Sequence, residues 1–423
     1  MNTGNTPWKA LHKIAFRFWF IYLVNYILAS RIIVDISFVW NYIVYFISGH
    51  FNILVPTQPN GSGDTTYNYI QLAAMVCISL IGSLIWTVAD KKRISYNLLS
   101  YIAEVLTRYF LGLLLLVYGF SKINLSQFPF PDLYKLNEPL GESSPMGLAW
   151  AFIGYSPAYN ILIGSTEVIS GIFLFIRRTK TFGALLSMIV MANVVALNFC
   201  YDIPVKLYSS HLLIMGLYIA SADIKRLVAL FFLNKEIPKP SLFTPVFGKK
   251  MKIVFICIKV LLFGCVSYYI IDMLVTSLID RKKELTVSSL YGVYSVEDYK
   301  VVATLSTKGN ENKSHYSEIY FDKGSRANFV NSDPKSREIY TYSLDTNRNL
   351  LLLVGRFNDK DTIRFHFTKG NLINFNQNDS NVICLNGWLK NDSLTIKIRP
   401  KNISGTNLEK TGFHWINERP NNQ

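Results

Sequence analysis

Seven apolar runs, at about 14–29, 69–88, 98–120, 158–176, 182–200, 205–222 and 253–279, constrain this chain more than any other feature. A helix crosses the hydrocarbon core of a bilayer in about 20 residues. Inside lipid only a helix or a closed barrel satisfies its own backbone. The runs therefore predict an α-helical polytopic membrane bundle with about seven transmembrane helices. Charged residues make up only 17% of the chain, against about a quarter in soluble domains. An eighth apolar stretch, 34–54, is broken by Asn41, Ser48, Gly49, His50 and Asn52 and is rich in aromatic residues. That pattern suits a helix lying in the headgroup region, with a true crossing as the alternative.

The formal charge of +15 does not point to nucleic acid, because the basic residues flank the apolar runs and no nucleic-acid-binding signature accompanies them. Lys9, Lys13, Arg17, Lys91 to Arg93, Arg177 to Lys180 and the lysines of 225–252, Lys239 included, fall on one side of a seven-span layout. The alternate loops hold only Arg31, Lys122, Lys135 and Lys206. The positive-inside bias then puts the N-terminus in the cytoplasm and the C-terminal region outside, with Arg281 to Lys283 as the one contrary signal. No small-residue cleavage site follows the first run, so that run is expected to be retained. Cys77, Cys200, Cys257, Cys265 and Cys384 form no CxxC pair, so neither a zinc site nor a redox dithiol is expected.

From residue 285 the pattern changes to short stretches of alternating polarity, such as Glu338-Ile-Tyr-Thr-Tyr-Ser-Leu and Thr362-Ile-Arg-Phe-His-Phe. Turn residues at Asp345-Thr-Asn, Lys369-Gly-Asn and Lys390-Asn-Asp-Ser separate them. A small all-β antiparallel barrel or sandwich is expected. His315, His366 and His414 are scattered through it without clustered partners. The boundaries follow: membrane helices with an interfacial helix and outer loop over 1–97, a four-helix core over 98–234, a basic linker and last span over 235–283, and an outer β domain over 284–423. In the loop Pro59 to Tyr67, Asp64 is placed to cap the following helix.

Ionisable groups within spans are costly and by default face a bundle interior or a wet cavity. The densest set is the hairpin from Asn193 to His211, which holds Asn193, Asn198, Asp202, Lys206 and His211. Asp202, Lys206 and His211 are expected to meet Lys122 at the outer mouth of the bundle, where a histidine between carboxylate and amine can relay protons. An interhelical hydrogen-bond lock is the competing reading. Glu104 and Arg108 share a helix face four residues apart. Glu167, at mid-span, demands protonation, water, or a cation such as Arg108. The candidate catalytic residues are thus His211, Asp202 and Glu167. The candidate ligand-binding residues are Arg108, Lys122, Tyr118, Asn193, Asn198 and Lys206. No metal motif is present.

The segment Arg108-Tyr-Phe-Leu-Gly-Leu-Leu-Leu-Leu-Val-Tyr118-Gly119-Phe-Ser-Lys122, the helix Glu167-Val-Ile-Ser-Gly171-Ile-Phe-Leu-Phe and the helix pair after it resemble the DoxX family. The N-terminal loop and the ending Thr411-Gly-Phe-His-Trp-Ile-Asn-Glu-Arg-Pro-Asn-Asn resemble a bacterial subgroup of that family with an added outer domain. The layout is more remotely similar to the vitamin K-dependent carboxylases. The resemblance implies a four-helix core in the bacterial inner membrane and a link to quinone-dependent oxidation of sulfur compounds. Two functions follow as expectations. One is a quinone-linked oxidoreductase, or a subunit of one, with its pocket at the outer ends of the third to sixth spans. The other is a non-enzymatic anchor presenting a β domain to an envelope partner or lipid.

Overall fold

The computed structural model describes residues 7–30, 35–55, 61–236, 245, 248–284, 287–302, 316–332, 337–355, 362–367, 382–389 and 392–401. Arg31, Lys239, His315, His414, the turns at 369–371 and 390–391 and the ending at 411–422 lie outside them. The chain divides into two compact units, Met1–Gln127 with Ala158–Ile271 and Phe128–Pro157 with Asp272–Gln423.

Among the described residues the helices are α1 (Ala10–Ala29), α2 (Ser37–His50), α3 (Thr66–Ala89), α4 (Asn97–Ile123) and α5 (Leu133–Asn137). They continue with α6 (Pro145–Tyr155), α7 (Pro157–Phe175), α8 (Lys180–Cys200), α9 (Lys206–Ser221), α10 (Ile224–Phe231) and α11 (Lys249–Glu284). By length and composition α3, α4, α7 and α8 are able to cross a membrane, and α11 contains a shorter apolar stretch, Gly264–Ile279. α9 has only 16 residues, and α1 gives several positions to polar and aromatic side chains. Among the described residues, four of the seven expected spans therefore meet the full length-and-composition requirement.

The helical unit is organised by α4, whose buried face carries Thr107, Leu111, Leu114, Leu115 and Gly119. α7 packs against it through two glycine pairs. A Cβ on Gly171 would sit 2.8 Å from the carbonyl oxygen of Gly112, and one on Gly164 would sit 2.6 Å from that of Gly119. Both glycines on each helix are seven residues apart, so two turns of antiparallel contact repeat the same close approach. Small residues at such contacts let membrane helices meet backbone to backbone.

Arg17, in the first half of α1, is buried. Its Nη2 donates to the Tyr96 hydroxyl at 2.7 Å and to the Asp90 carbonyl at 3.0 Å, and its Nη1 donates to Thr87 at 2.8 Å. The Tyr96 hydroxyl in turn donates to the Asp90 carboxylate at 2.9 Å. One guanidinium thus ties α1 to the end of α3 and to the residue before α4.

The loop before α3 works differently from its sequence. Thr65 and Asn68 form a capping box that starts α3, so Asp64 is not its cap. Gly63 N–H donates to the Pro204 carbonyl at 2.7 Å and draws the loop across to α9. The Asp64 carboxylate then accepts from the Lys206 and Leu207 amides at 2.7 and 2.9 Å. These amides have no partner inside α9, and a carboxylate there also meets the positive end of the helix dipole.

The second unit is a closed antiparallel barrel of β1 (Gly292–Val302), β2 (Tyr316–Asp322), β3 (Arg326–Asn331), β4 (Arg337–Asp345), β5 (Leu350–Gly355), β6 (Thr362–Phe367), β7 (Ile383–Leu389) and β8 (Asp392–Lys401). Each strand pairs with the next, and β1 pairs with β8 to close it. Alternate side chains, among them Ile319, Phe321, Leu351, Leu353, Phe365 and Ile396, fill the interior. Period-two alternation puts one face of every strand inside, and closure removes the sheet edges. The interior is a packed core.

Residues 128–157, expected with the four-helix core, belong instead to the barrel unit. Asp132 is the N-cap of α5, and Asp322 on β2 accepts from the Leu133 amide at 2.9 Å, so a barrel carboxylate holds the first amide of that helix. Burial raises that carboxyl above the usual aspartate range, only partly offset by the Leu133 and Lys323 amides. Tyr134 lies edge-on to Tyr320 with ring centres 5.5 Å apart, and the Arg337 guanidinium lies 4.3 Å over the Tyr134 ring. Sequence adjacency hid this docking, because it joins positions about 190 residues apart.

Gly164→Val is expected to destabilise the protein by about 1–3 kcal/mol, the usual cost of overpacking a close contact. Gly141→Val, which meets nothing within 4 Å, leaves stability unchanged. Thermal unfolding of the two variants in the same detergent measures the difference.

Candidate functional site

A cavity of about 780 Å³ opens at the end of the bundle where α9 begins. Its wall is assembled from the last turns of α1 (Tyr26), from α2 (Trp40, Asn41), from the first turns of α3 (Asn68, Gln71), from α4 (Tyr118) and from α9 (Tyr208, His211). The loop held by Gly63 and Asp64 closes one side, which explains why that loop is tied to α9. Among the described residues the wall carries phenols, an indole, an imidazole, amides and hydroxyls, and no Asp, Glu, Lys or Arg. Its described lining mixes polar groups with apolar ones and has no carboxylate, ammonium or guanidinium.

Two features give this wall chemical direction. Trp40 is 4% exposed, and among the described residues its buried indole N–H has no hydrogen-bond partner. A buried donor left unpaired costs about 1–3 kcal/mol. His211 is fixed on three sides. Its Nδ1 lies 2.6 Å from the Leu207 carbonyl, one helical turn back, and its Nε2 lies 2.6 Å from the Tyr22 hydroxyl. The Tyr26 ring stacks on it at 4.0 Å between centres and 9° between planes. A carbonyl can only accept, so Nδ1 carries the proton. In the neutral ring Nε2 is then the acceptor of the Tyr22 hydroxyl. A proton added at Nε2 would reverse that bond and make Tyr22 the acceptor, so the pair can hold one more proton without moving.

Of the nine sequence-derived candidates, Tyr118 and His211 lie on this wall. Lys122 and Glu167 form their own buried pair, Nζ to Oε2 2.8 Å, with side chains 8% and 2% exposed. Glu167 is therefore partnered by Lys122 and not by Arg108. Arg108 lies 3.7 Å from Glu104, whose nearer partner is Lys180 at 2.6 Å. Asp202 is 84% exposed and accepts from Lys206 at 2.7 Å. It occupies the tight α8–α9 turn with φ of +50°, a conformation that Asp tolerates better than most residues. Asn198 donates to Ser209 at 2.9 Å and locks the same hairpin, while Asn193 is exposed. The polar hairpin thus splits into a turn (Asp202, Lys206), a lock (Asn198) and a cavity residue (His211).

Sequence reasoning passed over Tyr22, Tyr26, Trp40, Gln71 and Tyr208. Aromatic residues in an apolar run read as lipid-facing or core, and nothing in their spacing marks them as converging. The one available signal was the broken, aromatic-rich stretch 34–54, whose α2 supplies Trp40 and Asn41. Among the described residues no group of three His, Cys, Asp or Glu is placed to hold a metal ion.

No family profile matches the chain. No solved structure matches it. It is 32% identical over 126 residues to the uncharacterized protein YwoB of Bacillus subtilis (strain 168). The aligned part makes up 29% of this chain and 79% of the Bacillus protein. With that much of the relative covered, the chain belongs to the same family as YwoB.

Proposed function

We propose that this is a DoxX-like protein of the bacterial inner membrane that binds a quinone in the cavity walled by Tyr26, Trp40, Tyr118, Tyr208 and His211, and that it works as a quinone-linked oxidoreductase or as a subunit of one. The observation that carries this reading is an aromatic-lined cavity whose described lining, Trp40 and His211 included, has no Asp, Glu, Lys or Arg. Ionic substrates would leave their charge uncompensated on such a wall. A ring bearing carbonyl oxygens offers acceptors to the hydroxyl and amide donors of the wall and flat faces to its aromatic rings. The quinone would supply the two-electron chemistry when bound. The protein's own part is to orient the ring, to exclude water, and to hold a proton at His211 Nε2 against Tyr22. Asp202, Glu167, Lys122, Arg108, Asn193, Asn198 and Lys206 then support the bundle around the cavity.

The layout proposed with it has seven crossings, the N-terminus in the cytoplasm and the barrel in the periplasm. Support comes from the barrel unit, which includes the loop between α4 and α7. If loop and barrel share a side, an even number of crossings separates them. The helices α7, α8, α9 and α11 supply four. Helix α2 then lies along the interface.

A second reading, a non-enzymatic anchor that presents the barrel to an envelope partner or lipid, draws on the same docking. α5 gives the barrel a second hold on a membrane-spanning chain, which suits a module that must be held in place. Deleting the residues beyond Lys283 separates the readings: quinone binding survives if the bundle carries the function.

With a radiolabelled short-chain quinone analogue and protein in nanodiscs, saturable binding is expected. His211→Ala should weaken it about tenfold, near 1.4 kcal/mol, and Trp40→Leu, which removes an aromatic face, by about 1 kcal/mol. Asp202→Asn, altered only at the exposed turn, stays within about twofold. No saturable binding to the native protein would sink the quinone reading.

Topology is read with an impermeant maleimide on a cysteine-free background. Leu140→Cys and Trp388→Cys should both label in intact spheroplasts, and Lys92→Cys only after permeabilisation. Labelling of Leu140→Cys and Trp388→Cys from opposite sides would overturn the layout.

A further inference from the structure

A second cavity, about 860 Å³, lies at the other end of the helical unit, where α1 and α4 begin and α9 ends. Its chemistry is the reverse of the first. Arg177, Lys180, Lys225 and Arg226 stand in its wall against only two carboxylates, Glu104 and Asp223. Both carboxylates are already engaged. Glu104 is bound by Lys180 at 2.6 Å, and Asp223 accepts from Thr181 and from Arg226 Nη1, the latter at 3.0 Å. Among the described residues Lys225, which is exposed, has no ion-pair or hydrogen-bond partner, and the buried Arg226 Nε–H has no acceptor. Positive charge therefore exceeds what the wall can neutralise.

The rim is equally specific. Trp8 and Trp19 line the cavity beside these cations. The Trp8 indole donates to Asn97 at 3.0 Å and stacks on His12 at 4.0 Å. Indoles favour the membrane–water interface, where an apolar ring and a polar N–H are both accommodated. Guanidinium and ammonium groups gathered at that depth match a phosphate, which accepts several hydrogen bonds and neutralises more than one cation.

We propose that this second cavity binds a phosphate-bearing anion at the membrane surface, with Lys225, Arg226 and Arg177 as its ligands. The site is independent of the quinone cavity and stands or falls separately from it. The phosphate can come from an anionic phospholipid headgroup or from a soluble phosphate monoester, and both present the same group to the same side chains.

Native mass spectrometry of the full chain, taken from nanodiscs of equal phosphatidylglycerol and phosphatidylcholine, tests this. The native protein should retain phosphatidylglycerol preferentially. The double variant Lys225→Gln/Arg177→Gln should lose roughly 25-fold of that preference, about fivefold for each basic residue near an anionic surface. Lys91→Gln/Lys92→Gln, which removes two basic residues outside the cavity, should keep it. Both variants alter residues in connections or at a helix start, and matching size-exclusion profiles establish that they fold. Displacement of the lipid by a millimolar excess of glycerol phosphate would assign the pocket to soluble monoesters, and retention would assign it to the headgroup. A native protein without preference, or a Lys225/Arg177 variant that keeps it, overturns the proposal.

Discussion

The α4–α7 contact is the constraint on which the rest of the bundle depends. Two glycine pairs bring the backbones together, and the Lys122–Glu167 ion pair is buried beside the second of them. Taking either charge from water costs several kcal/mol, and only a close partner repays it. Removing one partner of such a pair typically costs about 3–5 kcal/mol, because the other is left buried and uncompensated. The glycines and the ion pair therefore enforce one another. Any side chain on Gly164 would meet Gly119 O and Lys122 Cβ. Register between the two helices is set by this fit.

With α4 so placed, its two ends meet different neighbours and build cavities of opposite character. Tyr118, near the end of α4, faces α9 and α2 and contributes to a phenol-rich wall. Glu104, near its beginning, meets Lys180 and contributes to a wall with excess positive charge. The partition follows from where the chain puts its basic residues, at the α7–α8 and α9–α10 connections, and where it puts its aromatic ones. Hydrogen-bonded backbone of the loop before α3 completes the phenol-rich end. Asp64 is spent on α9 amides.

The barrel unit shows how position in the chain misleads about position in space. Residues 128–157 are flanked on both sides by membrane-length helices, yet Asp322 holds the first amide of α5 and Tyr320 meets Tyr134. No local pattern announces such a contact. The same applies to Glu167, whose need for a cation is plain from its apolar surroundings, although the choice of Lys122 over Arg108 is not. Both cations occupy α4 on suitable faces. Only the axial register fixed by Gly119 and Gly164 selects between them.

What the amino-acid order alone determined was the class of structure: apolar runs of bilayer length, basic flanks, and a C-terminal stretch of period-two alternation. These are one-dimensional properties, because hydrocarbon thickness and strand pleat act on local segments. It also determined that the Asn193 to His211 hairpin is unusually polar. Tertiary structure alone decided what that polarity does. Asp202 turns outward, Asn198 locks the hairpin, and His211 is delivered to Tyr22 and Tyr26 on α1, nearly 190 residues away. It also decided that Trp40, unremarkable in sequence, lines a cavity shared with Tyr26, Tyr118, Tyr208 and His211. Convergence of side chains depends on helix register and crossing, which arise from long-range packing that no local pattern encodes.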